Sequence, residues 1–168
     1  MAKQTKTSNF NQYTIEELDK VLTELTSKPT KKYYLAAPWF SDKMMRLYQH
    51  VVNILDKLEV ACYIPSLNSF PSPFETFLAN VNRIKQCDTV LALIDEKDVG
   101  TAWEIGMATE LGKEIILVGL DETSFLSHTN IMLAFCGKCL LLKDLEAFLK
   151  GQSVKYVYID KDSWEGKE

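Results

Sequence analysis

The segment from Asp95 to Gly106 holds the residues best suited to chemistry, because it places four carboxylates within ten positions. These are Asp95, Glu96, Asp98 and Glu104. The first two have the character of solvated surface. Asp98 precedes a Val-Gly turn, which allows its side chain to point back toward a cleft.

Glu104 stands on the first turns of a predicted helix, with Gly100 and Ala102 before it and Gly106 after it. Small residues let a ligand approach the backbone closely. The helix dipole also stabilises a carboxylate near the N-terminus as the anion. Such an anion could act as a nucleophile. A glutamate that only decorates the first turn is common, however, and composition alone favours that simpler interpretation.

Two aromatic residues stand in the earlier loop Ala36-Ala-Pro-Trp-Phe-Ser41. Trp39 and Phe40 could stack on a flat ligand such as a nucleobase. The alternative is a hydrophobic staple against the following helix. We favour the staple for Trp39, whereas the two interpretations are evenly balanced for Phe40.

Alternating strands and helices must position these loops. Apolar runs predict strands at residues 33–37, 60–64, 89–94, 114–120 and 138–142, and helices at 41–58, 74–86, 101–111 and 143–150. Residues 154–159 form an edge strand or a closing tail. This alternation predicts a flavodoxin-like, doubly wound, five-stranded parallel α/β sheet. Ligands of such sheets bind beyond the carboxyl ends of the strands, where both loops lie.

The chain is predicted to have an N-terminal tail and helix in residues 1–30, followed by a single α/β domain in residues 31–168. Thr14-Ile-Glu-Glu17 has the form of a capping box, and apolar residues follow it with helical spacing. This extra helix could pack on the core or on a neighbouring subunit, and the sequence leaves both open.

Charge and hydropathy exclude several classes of protein. A net charge of −4 without a basic stripe gives no reason to expect nucleic acid as a partner. The sequence shows no secretory leader and no apolar run long enough to cross a bilayer. We therefore expect a cytoplasmic protein with reduced cysteines and no membrane association.

Cys136 and Cys139 have the spacing of half a zinc site or of a redox pair. A zinc site needs a second pair of ligands, and the sequence offers none at suitable spacing. Two small residues at a strand edge is the favoured interpretation, so no metal is expected.

Three segments in order resemble the nucleoside 2-deoxyribosyltransferase family. Tyr34-Leu-Ala-Ala-Pro-Trp-Phe-Ser41 resembles its first loop, where an aromatic lies against the base. Asp98-Val-Gly-Thr-Ala-Trp-Glu-Ile-Gly106 resembles its catalytic motif. Asn130-Ile-Met132 resembles its Asn-Leu-Met segment. The match spans about residues 32–149, and three segments in register are more specific than any one of them.

The resemblance implies a catalytic set of Glu104, Asp98 and Tyr34. Glu104 would attack C1′ of the deoxyribose, Asp98 would donate or relay the proton that lets the base leave, and Tyr34 would hold Glu104 in position. A second base would then attack the glycosyl-enzyme, by the logic of a retaining glycosidase. The expected role is cytoplasmic nucleoside salvage without a metal or organic cofactor.

The same resemblance implies the substrate contacts. Phe40 would lie against the base, with Ala36, Asn80 and Gly100 nearby. Asn130 and Met132 would reach the 5′-hydroxyl of a neighbouring subunit's substrate. The implied partners are a 2′-deoxynucleoside, a free nucleobase and further copies of this chain in a homo-oligomer.

The sequence departs from the family pattern at three places. Asn80 stands where the family commonly has an aspartate, and Asn68 and Ser69 stand where it often has a glutamine. Family members often end with a tyrosine that reaches the active site, whereas this chain ends at residues 164–168 without one. Base preference is therefore left open.

Two alternatives stand beside the transferase. A hydrolase acting on 2′-deoxynucleosides or their 5′-monophosphates would use similar chemistry with water as acceptor. A monophosphate enzyme needs donors for the phosphate, which Arg83 and Lys85 would supply if they faced the cleft. A non-catalytic nucleoside-binding or sensor module is the alternative of another class, since a fold alone never excludes it.

Overall fold

The computed structural model describes residues 31–68, 70–96, 98–126 and 130–160. The predicted N-terminal helix, Ser69 and the C-terminal residues 161–168 lie outside the described residues.

The described residues form one five-stranded sheet in which every neighbouring pair is parallel. Its strands are β1 (Tyr33–Ala36), β2 (Cys62–Tyr63), β3 (Thr89–Leu93), β4 (Glu114–Gly119) and β5 (Lys138–Leu141). Their order is β2-β1-β3-β4-β5, which confirms the predicted doubly wound α/β fold. The order reverses between β1 and β3, and the rule for open sheets places a ligand crevice at that reversal.

The described ranges contain six α-helices, of which five lie between strands and the last follows β5. They are α1 (Asp42–Lys57), α2 (Pro73–Gln86), α3 (Val99–Glu110), α4 (Thr123–Leu126), α5 (Ile131–Ala134) and α6 (Leu145–Leu149). Short 3-10 turns occur at Pro65–Leu67 and Leu142–Asp144. None of the helices in this part of the chain is long and apolar enough to cross a membrane.

Side-chain caps set the beginnings of the two long helices that precede α3. The hydroxyl of Ser41 accepts a hydrogen bond from the Met44 amide, and that of Ser72 accepts one from the Glu75 amide. These bonds satisfy amides that have no partner inside a helix. Pro73 follows Ser72 at the first helical position, where its missing N–H costs nothing.

Two apolar layers cover the two faces of the sheet, and side-chain alternation along β1 divides its residues between them. Tyr34 and Ala36 face the layer that contains buried residues of α2 and α3. Leu35 faces the layer formed with α1 and α6. Tyr34 is therefore on the same face of the sheet as the helices that carry Asn80 and Glu104.

Two local expectations differ from the structure, and one open alternative is decided by it. The second strand is only two residues long rather than 60–64, and Pro65 begins a turn soon after it. The connection between β4 and β5, for which no helix was predicted, contains α4 and α5. Residues 154–159 add no strand to the sheet; Val157 makes a single antiparallel bridge to Cys139, so this segment is a closing tail.

Candidate active site

Glu104 and Tyr34 meet at the centre of the candidate site. Glu104 lies on the second turn of α3, and Tyr34 reaches it from the adjacent strand β1. The Tyr34 hydroxyl donates to Oε1 of Glu104 at 2.5 Å. Tyr34 is fully buried, and Glu104 is mostly buried. The structure thus brings together two residues that the sequence analysis placed in one catalytic set.

The electrostatics of this pair follow from its burial. The pKa of Glu104 is raised to about 7, chiefly by burial; the Tyr34 hydrogen bond lowers it and the nearby charge of Asp98 raises it. Burial and the neighbouring Glu104 also raise the pKa of Tyr34, which keeps its phenol protonated. At neutral pH the site therefore holds a carboxyl group close to its midpoint of ionisation, next to a permanent donor. Such tuning is frequent in active sites.

Asp98 begins helix α3. It is the N-cap residue, and its Oδ2 accepts a hydrogen bond from the Thr101 amide at 2.6 Å. The helix consequently starts at Val99, two residues before the predicted start. A Cβ at Gly100 would lie 3.2 Å from Oδ2 of Asp98, so this glycine leaves room for the carboxylate.

Tyr63 joins the site although no sequence pattern pointed to it, and it brings Arg83, which was considered only as a phosphate donor. The ring of Tyr63 stacks on that of Tyr34, with centroids 5.7 Å apart and an interplanar angle of 23°. Its hydroxyl donates to Oδ1 of Asn80 at 3.4 Å. The Arg83 guanidinium lies 5.3 Å from the centre of the Tyr63 ring. Asn80, a predicted site residue, is thus linked to Glu104 through two stacked tyrosines.

Exposed aromatic side chains connect α2 and α3 next to this cluster. The rings of Phe77 and Trp103 lie 5.7 Å apart, and Phe74 stacks near Phe77 at 6.4 Å. Trp103 precedes Glu104, and Phe77 is one helical turn before Asn80. All three rings are substantially exposed. The helical spacing of Phe74 and Phe77 was the only sequence signal for this patch.

The first loop separates its aromatic residues into two environments. Trp39 packs into the layer around α1, with its ring 6.1 Å from that of Tyr48, as the staple interpretation predicts. Phe40 is 77% exposed and contacts Trp39 at 5.2 Å between ring centroids. Ala36 is fully buried in the core layer beside Tyr34.

Asn130 and Met132 lie at the start of α5. Asn130 is the N-cap, and its Oδ1 accepts a hydrogen bond from the Met132 amide at 2.8 Å. The Met132 side chain is 75% exposed. The interactions of Glu104 described above run to Tyr34 and Asp98, not to these two residues.

The prediction that Asp95 and Glu96 are solvated surface is wrong. Both are half-buried, and both hold loops together at the carboxyl edge of the sheet. Asp95 accepts hydrogen bonds from the Ser124 hydroxyl at 2.6 Å and from the Leu120 amide at 3.2 Å. Glu96 accepts one from the Ser41 hydroxyl at 2.9 Å. Their carboxylates fix the loops that follow β1 and β4.

The cysteine pair lies at β5. Cys139 is buried, and burial raises the pKa of its thiol to about 11, while Cys136 is partly exposed. Across the described ranges, no three or more histidine, cysteine, aspartate or glutamate side chains are grouped so that they could hold a metal ion.

Comparisons with known proteins identify relatives of this arrangement. Residues 33–154 match the model of a family described as nucleoside 2-deoxyribosyltransferase. A curated nucleoside deoxyribosyltransferase of Lactobacillus leichmannii is 29% identical, over 56% of this chain and 73% of the relative.

Two solved structures share the fold. The 2-deoxyribosyltransferase of the psychrotolerant bacterium Bacillus psychrosaccharolyticus superposes with a TM-score of 0.60 at 25% identity, over 70% of this chain and 95% of that one. A CMP N-glycosidase of Clostridium botulinum superposes with a TM-score of 0.51 at 20% identity, over 72% and 97% of the two chains.

Proposed function

The chain belongs to the nucleoside 2-deoxyribosyltransferase family, and from this premise we propose that it transfers the 2-deoxyribosyl group of a 2′-deoxynucleoside from one nucleobase to another. The proposal makes Glu104 the nucleophile, Asp98 the proton donor or relay, and Tyr34 the group that positions Glu104.

One observation carries this proposal: a mostly buried carboxylate on α3 receives a hydrogen bond from a fully buried tyrosine on β1. A surface glutamate that merely decorated a helix would gain nothing from such a partner. Burial removes water from Glu104, and the Tyr34 hydroxyl offsets part of the resulting loss of ionisation. A binding module without catalysis has no need of a carboxylate poised in this way.

In the first chemical step, one oxygen of the Glu104 carboxylate attacks C1′. A bond forms between that oxygen and C1′, the bond from C1′ to the base nitrogen breaks, and its electron pair stays on the base. Asp98 donates or relays the proton that this nitrogen takes up. The transition state has oxocarbenium character, which the absent 2′-hydroxyl favours, and the product is a glycosyl ester of Glu104.

In the second step, a nitrogen of the incoming base attacks C1′ from the side that the first base left. The ester bond to Glu104 breaks, the carboxylate is regenerated, and Asp98 takes up or relays the proton that the incoming base loses. Two inversions at C1′ give net retention. Water in place of the second base would give hydrolysis by the same route.

Phe40 and Asn80 are proposed to contact the base, with Ala36 and Gly100 beside the substrate. The exposed ring of Phe40 has a free face for stacking. Asn80 is connected to the catalytic pair through Tyr63.

The experiment that tests the proposal is chromatography of the purified protein incubated with thymidine and either adenine or hypoxanthine. We expect deoxyadenosine or deoxyinosine to form with the wild type and not with Glu104→Ala. Glu110→Ala is the matched control, since Glu110 is exposed at the other end of the same helix. Free thymine without exchange would establish a hydrolase instead. If neither exchange nor free base is detected with any base or monophosphate, a binding module without catalysis is the better account.

Asn130 and Met132 are proposed to complete the site of a neighbouring subunit, which supports a homo-oligomer. Mixing Glu104→Ala with Asn130→Ala tests this, provided that subunits are exchanged by mild dissociation. A mixed assembly contains some sites with both native residues, so activity should reappear although each variant alone is nearly inactive. A mixture that stays inactive would assign Asn130 to its own chain's site.

A further inference from the structure

A continuous line of contacts leads from the proposed nucleophile to Asn80. Glu104 accepts from Tyr34, the Tyr34 ring stacks on Tyr63, and Tyr63 donates to Asn80. The two tyrosines are register partners on β1 and β2, so the sheet itself fixes their spacing. Asn80 therefore lies on the same face and in the same cluster as Glu104.

The hydrogen bond from Tyr63 sets the direction of the Asn80 side chain. The acceptor is Oδ1, and the oxygen and nitrogen of a side-chain amide lie on different sides of the carbon that carries them. With Oδ1 turned toward Tyr63, the NH2 group is turned away from it. The Arg83 cation over the Tyr63 ring withdraws electron density and makes the phenol a better donor, which favours this orientation.

On the basis of the proposed function, we infer that Tyr63 holds the Asn80 amide with its NH2 group toward the nucleobase. The site thereby selects bases that present a carbonyl oxygen, rather than an exocyclic amine, to Asn80. Tyr63 is a positioning residue in this arrangement, and Asn80 is the residue that determines specificity. Hypoxanthine and adenine are the discriminating pair, because they differ only in the oxo or amino group at carbon 6 and in the hydrogen on the adjacent ring nitrogen.

The chemistry of the side chain explains why asparagine and aspartate would differ here. An ionised carboxylate only accepts hydrogen bonds, so it pairs with an amine and repels a carbonyl oxygen. An asparagine free to rotate could pair with either. An asparagine whose oxygen is already engaged offers only its donor, and a base with an amine at that place leaves two donors facing each other.

The expected selectivity is moderate. A site that hydrogen-bonds one partner and leaves the competitor unpaired discriminates by roughly the value of one hydrogen bond, so we expect about a tenfold preference for the oxo base. The Tyr63–Asn80 bond of 3.4 Å is long. Hydrogen bonds in unliganded sites often tighten when substrate binds.

The test is equilibrium binding of deoxyinosine and deoxyadenosine to Glu104→Gln, measured by calorimetry, so that no turnover is needed. We expect deoxyinosine to bind about tenfold more tightly. Adding Tyr63→Phe keeps the stack on Tyr34 but removes the hydroxyl, and the ratio should fall toward one. Adding Asn80→Asp instead should reverse the preference. Tyr156→Phe, at the far edge of the sheet, should leave the ratio unchanged.

A structural defect would weaken both nucleosides alike, whereas loss of the orienting bond changes their ratio. Three results would overturn the inference. They are equal affinities of Glu104→Gln for the two nucleosides, a ratio of affinities that Tyr63→Phe leaves intact, and no binding of either nucleoside. If Tyr63→Phe does not fold, the ratio of the two affinities in Asn80→Asp decides whether the inference holds. The base-exchange assay described above tests the proposed function separately. Exchange at equal rates with adenine and hypoxanthine would support the transferase activity and contradict the inferred selectivity.

Discussion

The phenol oxygen of Tyr34 lies 2.5 Å from Oε1 of Glu104, although the two residues are 70 positions apart in the chain. Burial alone would leave the Glu104 carboxyl protonated over a wide pH range, and the tyrosine partly reverses this by donating to the anion. Tyr34 thus determines how much of the proposed nucleophile is ionised at neutral pH.

Tyr34→Phe should lower kcat/KM at pH 7 by about tenfold, the value of one hydrogen bond to a charged group. The hydrogen bond lowers the pKa of Glu104, so its removal raises that pKa above about 7 and moves the acid limb of the profile to higher pH. The deficit should therefore shrink at pH 9, where Glu104 ionises in both proteins. The measurement is kcat/KM for base exchange between pH 5 and 9.

The control for this substitution is Tyr33→Phe on the same strand, because Tyr33 packs against the opposite apolar layer. Its pH profile should coincide with that of the wild type. A Tyr34→Phe deficit that is the same at every pH would mean that the hydroxyl acts on geometry alone and not on ionisation.

Glu104→Gln should stabilise the protein at pH 8. The pKa of Glu104 rises from 4.5 in the unfolded chain to about 7 in the folded one, so ionisation above pH 4.5 costs stability, and the cost is complete above pH 7. That rise corresponds to an upper limit of about 3 kcal/mol, and we expect about 2 kcal/mol after relaxation. Glutamine carries no charge and avoids this cost at every pH.

Urea unfolding at pH 8 and pH 4.5 measures the effect. The difference in free energy of unfolding between Glu104→Gln and the wild type should be large at pH 8 and nearly absent at pH 4.5. The exposed Glu110→Gln serves as the control and should show little difference at either pH. An equal gain at both pH values would attribute the stabilisation to packing instead of charge.

The strands were predicted well where the buried residues are also the ones that pair with a neighbouring strand. β3 and β4 are covered on both faces, so their apolar runs match the observed strands to within one residue. β2 was predicted too long because hydrophobicity reports burial and not pairing. Val60 and Ile64 pack against the core layer, but only Cys62 and Tyr63 pair with β1 at this edge of the sheet.

The catalytic set and the contact between Tyr34 and Glu104 could be proposed from motifs, whereas the connection to Tyr63 could not. Glu104 alone was ambiguous, and the family resemblance supplied its partner Tyr34. Tyr63 was missed because its place beside Tyr34 depends on the register between two strands, which a local pattern does not encode. The burial of Asp95 depends on a loop that follows β4, 25 positions later in the chain.

Asp98 should show two separable roles. Asp98→Asn keeps a good N-cap but removes a charge that raises the pKa of Glu104, so the acid limb of kcat/KM should move to lower pH. Loss of the proton donor should also reduce kcat by about a hundredfold. Asp98→Ala loses the cap as well and should unfold more easily, by about 1 kcal/mol.

Activity profiles and thermal unfolding of both variants test these roles. Asp98→Asn should retain the wild-type melting temperature, and only Asp98→Ala should lower it. If both variants keep full kcat, Asp98 caps the helix without taking part in proton transfer. An unmoved acid limb in Asp98→Asn would contradict the electrostatic coupling between Asp98 and Glu104.

Two glycines on α3 offer a matched pair of substitutions. A Cβ at Gly100 would lie 3.2 Å from Oδ2 of Asp98, whereas a Cβ at Gly106 would meet no described atom within 4 Å. Gly100→Ala should therefore displace the Asp98 carboxylate by a few tenths of an ångström and lower kcat/KM by about tenfold, since small misplacements of catalytic groups are costly. Gly106→Ala should raise the free energy of unfolding by about 1 kcal/mol, because alanine is the better helix former.

Exchange activity and urea unfolding, measured for both variants, separate the two effects. Unimpaired activity in Gly100→Ala would show that the exact position of Asp98 matters little. A loss of activity in Gly106→Ala would assign the open space beside Gly106 to the substrate.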